Sequence, residues 1–226
     1  MTVTTRHLTQ GAAVCAAAAG AIFIAVQINH PPSDTFLTDT HEWVIRGTAK
    51  VVMAVLALAG ITGMYLRQVR QMKVLGLVGF VLFFVGYLFV FATEVTSVLV
   101  LPALTEKAPG FVNDVVLRAN GAKAAGDIGH VQILLDLMGV GYILGGLIFG
   151  IALFRAAVLA RWAALLLAAS TTATAALAVL PESFNRPMAV PEGVALVALG
   201  ISLWRDQRNT EAPATRTVAV DQLAAR

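Results

Sequence analysis

Charge and cysteine are what this chain has little of. Only 13% of its 226 residues are charged, and Cys15 is its single cysteine. One thiol cannot build a disulfide framework. A soluble domain of this size carries about 25% charged and about 45–50% apolar residues, whereas here 58% are hydrophobic and the mean hydropathy is +0.79. That composition excludes intrinsic disorder of the whole chain as well. Catalytic and metal motifs are also missing. The four histidines show no H-E-x-x-H or H-x-x-x-H spacing, which argues against a di-iron desaturase or hydroxylase. It also argues against a metal site built on His30, His41 and His130 with Glu42, Asp127 or Asp136, so no metal is expected. No D-D-x-x-D stretch exists for magnesium-dependent ionisation of a diphosphate, and no Ser/His/Asp constellation stands out. The run Gly139-Val-Gly141-Tyr-Ile-Leu-Gly145 resembles a dinucleotide fingerprint, but no strand precedes it.

What the chain does have is long apolar runs. A helix needs about 20 apolar residues to cross a bilayer. Six segments qualify, at Gly11–Ile28, Trp43–Leu66, Val74–Leu101, Val131–Phe154, Arg161–Leu180 and Met188–Trp204. Backbone in lipid must satisfy its own hydrogen bonds, and no ten-residue alternation points to a barrel. The expected fold is therefore all-α, a polytopic bundle of six transmembrane helices in the cell membrane. Only Arg6 precedes the first segment and no A-x-A site follows Val26, so this segment is taken as a span and not as a signal peptide.

Basic residues set the orientation. If the spans alternate, Arg6, the turn with Arg67, Arg70 and Lys73, the turn from Arg155 to Arg161, and the tail residues Arg205, Arg208, Arg216 and Arg226 share one side. By the positive-inside rule both termini are cytoplasmic. Trp43 then falls at the outer interface, and Trp162 and Trp204 at the inner one. The pI near 9.4 thus reflects topology and requires no nucleic acid. The outer connection 102–130 is long. In it Phe111, Val112, Val115 and Val116 recur at helical spacing around Asn113, Asp114 and Arg118, which fits either an amphipathic lid helix or an ordinary interfacial loop. The tail 205–226 loses its apolar run and is expected to be disordered. Gly141 with Gly145 and Gly146 with Gly150 are small-xxx-small pairs that let helices approach closely, and Ser170, Thr171, Thr172 and Thr174 are expected to bond back to their own helix or across to a neighbour.

Ionisable groups inside spans are functional candidates by default. With a rise of 1.5 Å per residue, Lys50, Glu94 and Asp136 lie roughly 9, 10 and 8 Å below the outer surface on three helices. Helical phase puts Arg46 and Lys50 on one face of the second span. Phe80, Phe83, Phe84, Tyr87, Phe91 and Glu94 share a face of the third, and Gln132, Asp136 and Gly139 a face of the fourth. Convergence of these faces would give an elongated pocket, charged at its mouth and aromatic on one wall, suited to an amphiphilic or isoprenoid molecule. Snorkelling of Arg46 and Lys50, lipid contact of the aromatic stripe, and structural ion pairs for Glu94 and Asp136 are the competing readings.

Several stretches carry a resemblance. These are His30-Pro-Pro, Gly60-Ile-Thr-Gly-Met-Tyr-Leu-Arg67, Leu101-Pro, Pro109-Gly-Phe-Val-Asn-Asp114 and Leu147-Ile-Phe-Gly-Ile-Ala-Leu-Phe-Arg-Ala-Ala-Val-Leu-Ala-Arg-Trp162. Through them the chain resembles small six-span actinobacterial membrane proteins, among them the integral-membrane terpene cyclases of drimane-type meroterpenoid pathways. The resemblance implies proton-initiated cyclisation of a farnesyl- or polyprenyl-bearing substrate without a cofactor. Chemistry then assigns the roles. Burial disfavours the ionised form of a carboxyl, so Glu94 is the candidate acid, and Asp136 recharges it or takes the last proton. Phe84, Tyr87 and Phe91 face developing carbocations, while Arg46, Lys50, Phe80 and Gln132 complete substrate binding. The alternative is a non-enzymatic transporter, lipid-binding or interaction protein with a structural Lys/Glu/Asp network. As a transporter, six spans without a visible repeat would need to oligomerise.

Overall fold

The computed structural model describes residues 2–32, 35–178, 180 and 182–209. Among these the chain forms helices α1 (Thr5–Ala25), α2 (Thr40–Arg67), α3 (Val69–Leu99), α4 (Leu101–Leu104), α5 (Pro109–Ala119), α6 (Val131–Ala156), α7 (Arg161–Ala173) and α8 (Asn185–Asn209), with 3-10 turns at Thr174–Ala178 and Glu182–Phe184. No strand occurs among the described residues. Five helices (α1, α2, α3, α6 and α8) are long and apolar enough to cross a membrane. Their outer faces are apolar, with Val52, Val55, Val81, Val85 and Leu144 all exposed, as lipid contact requires.

Two expectations need correction. The run Arg161–Leu180 is not one continuous α-helix, because α7 stops at Ala173 and tightens into a 3-10 turn. The hydroxyls there explain it. Ser170 and Thr171 donate to the Leu167 carbonyl, Thr172 to Ala168 and Thr174 to Thr171, and such back-bonding competes with the helical ladder. The tail is not unstructured from Arg205, since α8 continues to Asn209 and Asp206 accepts a 2.6 Å bond from Arg67 of α2. The remainder, 210–226, lies outside the described residues.

Six helices close a ring. Helix α1 packs on α2 and α8, α2 on α3, α3 on α6, α6 on α7, and α7 on α8. Short connections join α2 to α3 and α6 to α7 at one end of the ring, the turn end. The first is a turn ending at Lys73 (φ 51°, ψ −148°), so the straight part of α3 begins at Val74, where hydropathy had placed it. Long connections (26–39, 100–130 and 174–184) crowd the opposite, loop end.

Small residues let the ring close tightly. A Cβ on Gly86 would sit 2.5 Å from the Tyr142 nitrogen, and one on Gly79 2.5 Å from that of Phe149, so α3 and α6 touch backbone to backbone. Gly141 and Gly145 form the α6 side of this contact, while Gly146 and Gly150 face Thr171 and Ala168 of α7. Both pairs thus serve close approach, against different neighbours. Gly60 meets Ala16 between α2 and α1, and Gly20 meets Gly193 between α1 and α8. Without a hydrophobic drive between helices in lipid, this close packing is what holds them.

A second apolar cluster caps the loop end. Val112, Val115 and Val116 of α5 are buried against Phe36, Leu101 and Ile128, so the amphipathic helix forms as its spacing predicts. Buried Asp114 fixes the following chain by accepting from the Ala125 and Gly126 amides, each at 2.9 Å. Trp43 belongs to this cluster and is only 8% exposed. It therefore packs into the loop-end core, whereas Trp162 and Trp204 remain exposed.

The glycine contacts make a paired prediction for thermal unfolding in detergent. Gly145→Ala drives a Cβ into the Phe83 backbone and should destabilise by about 1–3 kcal/mol. Gly139→Ala meets nothing within 4 Å and should be neutral or stabilising by up to about 1 kcal/mol.

Candidate functional site

The glycine-tight α3–α6 contact sets Tyr87 and Tyr142 side by side, with ring centroids 5.8 Å apart. A buried phenol needs a partner for its hydroxyl. Helix α8 supplies one from across the ring, Glu192, which is 1% exposed. The Tyr87 hydroxyl donates to one carboxylate oxygen at 2.9 Å, and the Tyr142 hydroxyl donates to the other. Phe83 packs edge-on to Tyr87 at 5.1 Å and against Tyr142 and Phe149 at 6.0 Å each. Three helices therefore meet on one carboxyl group surrounded by aromatic rings. Glu192 directly follows Pro191, which lies inside α8. Proline removes a backbone donor, so a rung of the helical ladder is missing directly before the acid.

Above this group, toward the loop end, lies a cavity of about 510 Å³. All six ring segments contribute, α7 through its 3-10 continuation. Tyr87 and Tyr142 form part of the wall on α3 and α6, and Phe23, Met53, Val90 and Ile143 supply apolar surface. Lys50 and Glu94 face each other in it at 3.4 Å, with side chains 14% and 18% exposed. Arg118, at the end of α5, and Arg186, at the start of α8, complete the polar lining. The volume falls in the range of about 300–1,000 Å³ usual for small-molecule sites.

The residues picked from the sequence fall into four groups. Lys50, Tyr87 and Glu94 come together on the cavity wall. Asp136 and Gln132 do not join them. Asp136 has a side chain 49% exposed, pairs with Arg118 and accepts from Gln132 at 2.8 Å. Glu94 and Asp136 thus stand in separate ion pairs and do not form one two-carboxyl centre. Arg46 ties α1 to α2 by donating to the Val26 and Ile28 carbonyls at 3.0 and 2.8 Å and pairing with Glu42 at 2.6 Å. A cation on the carbonyls that follow a helix is a cap, so Arg46 is bound up in structure. Phe80 stacks on Tyr65 at 4.4 Å with Phe84 beside it at 5.6 Å, and Phe91 packs on the core; none of the three lines the cavity.

Glu192 and Tyr142 escaped the sequence reading. Glu192 lies near the start of the last apolar run, where an acid reads as part of an outer loop. The available signal was a pair of mid-span phenols, Tyr87 and Tyr142, whose hydroxyls demand polar partners inside the bundle. Among the described residues no three His, Cys, Asp or Glu side chains converge as a metal cluster.

His30 sits outside the spans, at the loop end. Its ring packs edge-on to Trp43 at 4.8 Å, and Nδ1–H donates to the Pro31 carbonyl at 2.9 Å. Nε2 is buried without a hydrogen-bond partner among the described residues. Burial, then the charges of Lys50 and Arg186, push the imidazole pKa down to about 3. An unfolded histidine titrates near 6.5, so between these values only the unfolded chain takes up the proton. Stability from this group is complete above about pH 6.5 and declines as the pH falls toward 3. Thermal midpoints of the wild type should drop between pH 7 and pH 4 more steeply than those of His30→Gln, measured in the same detergent.

Comparison of the chain with protein-family models, curated proteins and solved structures yields no match, so the functional reading rests on the site itself.

Proposed function

We propose that this chain is a six-span membrane enzyme, related to the integral-membrane terpene cyclases it resembles, that cyclises a prenyl-bearing substrate by acid–base chemistry without a cofactor. In this reading Glu192, positioned by Tyr87 and Tyr142, is the proton-transferring group. The observation that carries it is a carboxyl buried from water, bonded by two phenols and ringed by aromatic faces, below a cavity large enough for an amphiphile. Six spans are supported by length. Thirteen residues of α-helix and five of 3-10 turn reach about 30 Å at 1.5 and 2.0 Å per residue, the thickness of a hydrocarbon core. Basic residues at the turn end favour cytoplasmic termini, which opens the cavity to the outer leaflet.

The chemistry balances as an isomerisation. In its protonated state the Glu192 carboxyl gives its proton, relayed through the hydroxyl of Tyr87 or Tyr142 on the cavity wall, to a terminal alkene carbon, and the tertiary cation formed is attacked by the next double bond, closing a ring. Loss of a proton from the carbon beside the last cation returns it to the carboxylate, and no electrons enter or leave. The faces of Tyr87 and Tyr142, which line the cavity, offer negative π density to the travelling cation. An apolar chain can reach the site laterally from lipid.

The non-enzymatic reading keeps one observation in its favour. Glu94 and Asp136 are each paired with a cation, as a charge network that only fixes helices or a ligand would be. Membranes incubated with a farnesylated aromatic acceptor separate the two. The enzyme reading predicts an isomeric product of unchanged mass, reduced about 10²–10⁴-fold in Glu192→Gln, as loss of an acid–base group does, and largely retained in Asp136→Asn. Full turnover by Glu192→Gln at equal expression would remove Glu192 from the chemistry. Absence of product from the wild type, with a lowered thermal midpoint in Glu192→Gln, would leave the binding protein.

A further inference from the structure

Two cations that the sequence places on different helices, Lys50 of α2 and Arg118 of α5, line the polar side of the cavity, and among the described residues Glu94 is the acid that lines it with them. The neighbouring described carboxylates are turned elsewhere. Asp136 meets Arg118 from outside the lining, Glu42 holds Arg46, and both oxygens of Glu192 are covered by phenols. Lys50 and Arg118 also have donors to spare. Lys50 meets Glu94 at 3.4 Å, longer than the roughly 2.7–2.9 Å of a charge-assisted hydrogen bond, and an ammonium has three N–H groups. Arg118 gives one terminal nitrogen to Asp136, whereas a guanidinium offers five N–H donors in a fork that suits an oxyanion. His30 senses the same field from beside the cavity, as Lys50, Arg186 and Arg46 all help to keep its ring neutral.

We propose that this charged mouth is a subsite for an oxyanion headgroup carried on the isoprenoid chain, gripped by Lys50 and Arg118 while the hydrocarbon runs toward Tyr87 and Tyr142. The proposal rests on the prenyl-amphiphile reading above and adds the headgroup chemistry. It also sets the direction of the substrate, since an anchored head puts the chain's far end, with its terminal alkene, nearest Glu192. An uncharged prenyl alcohol of the same length would gain the apolar contacts alone.

Equilibrium binding to the full chain in nanodiscs of neutral lipid tests it with three probes: farnesyl phosphate, farnesol and inorganic phosphate. Farnesyl phosphate should bind at least tenfold more tightly than farnesol, and millimolar inorganic phosphate should not displace it. A triple variant, Lys50→Gln with Glu94→Gln and Arg118→Gln, removes the two gripping cations without stranding Glu94. It should lose the tenfold preference yet keep its affinity for farnesol, which also reports that the cavity has folded. Equal affinity of the wild type for farnesol and farnesyl phosphate, or an undiminished preference in the triple variant, overturns the headgroup subsite and leaves the isoprenoid reading standing. Binding of inorganic phosphate alone, lost in the triple variant, overturns the lipid source in favour of a free anion. Failure of all three probes to bind overturns both readings.

Discussion

The carboxyl of Glu192, held by two phenols inside a ring of helices, is the constraint on which the rest of the structure depends. Removing an ionised carboxylate from water costs several kcal/mol even after relaxation. Such a group persists only where donors are already in place. Tyr87 and Tyr142 provide them from α3 and α6, and α8 brings the acid from across the ring. The phenols can stand side by side only because Gly86 and Gly141 let their backbones touch. Glycine packing, paired tyrosines and buried acid are thus links in one chain of cause. A larger residue at either glycine would part the tyrosines and leave the carboxyl short of a donor.

That arrangement also explains why the cavity sits where it does. Below the Glu192 level the ring is filled, with Ala57, Ile61 and Met64 of α2 buried against Ala13, Ala16 and the leucines of α8. Above it α7 gives way to a 3-10 turn, and α8 starts with Pro187 and Pro191, so the walls lose their regular packing. The α5 cap covers the opening and presents Arg118. Charge at the loop end, apolar space and then the buried Glu192 carboxyl follow one another along the axis.

Much of this was legible in the sequence, for physical reasons. Apolar runs of spanning length, about 17 residues or more, found the five long helices with ends off by up to six residues, and they placed the start of α3's straight part at Val74. The glycine pairs announced close approach, and the valine spacing announced α5. Lys50, Tyr87 and Glu94 were found because helical phase and depth are local properties of each span. Asp136 was misplaced because the same arithmetic fixes depth but not which neighbour a face meets, and Arg118 of α5 draws it away from the cavity. The break in α7 came from hydroxyls that were correctly expected to bond back, though not that doing so would end the helix. Glu192 was overlooked because proximity to a span end looks like exposure when the covering loops are unknown. The tyrosines opposite it were the only hint.

The central claim is that a ligand in the cavity is felt by the Glu192 carboxyl through its phenol partners. Infrared difference spectroscopy on the protein in nanodiscs, recorded on addition of farnesyl phosphate, reads that carboxyl directly. The account predicts a carboxyl band that responds to the ligand, vanishes in Glu192→Gln and moves in Tyr142→Phe. A ligand-induced spectrum that is identical in wild type and Glu192→Gln would contradict it.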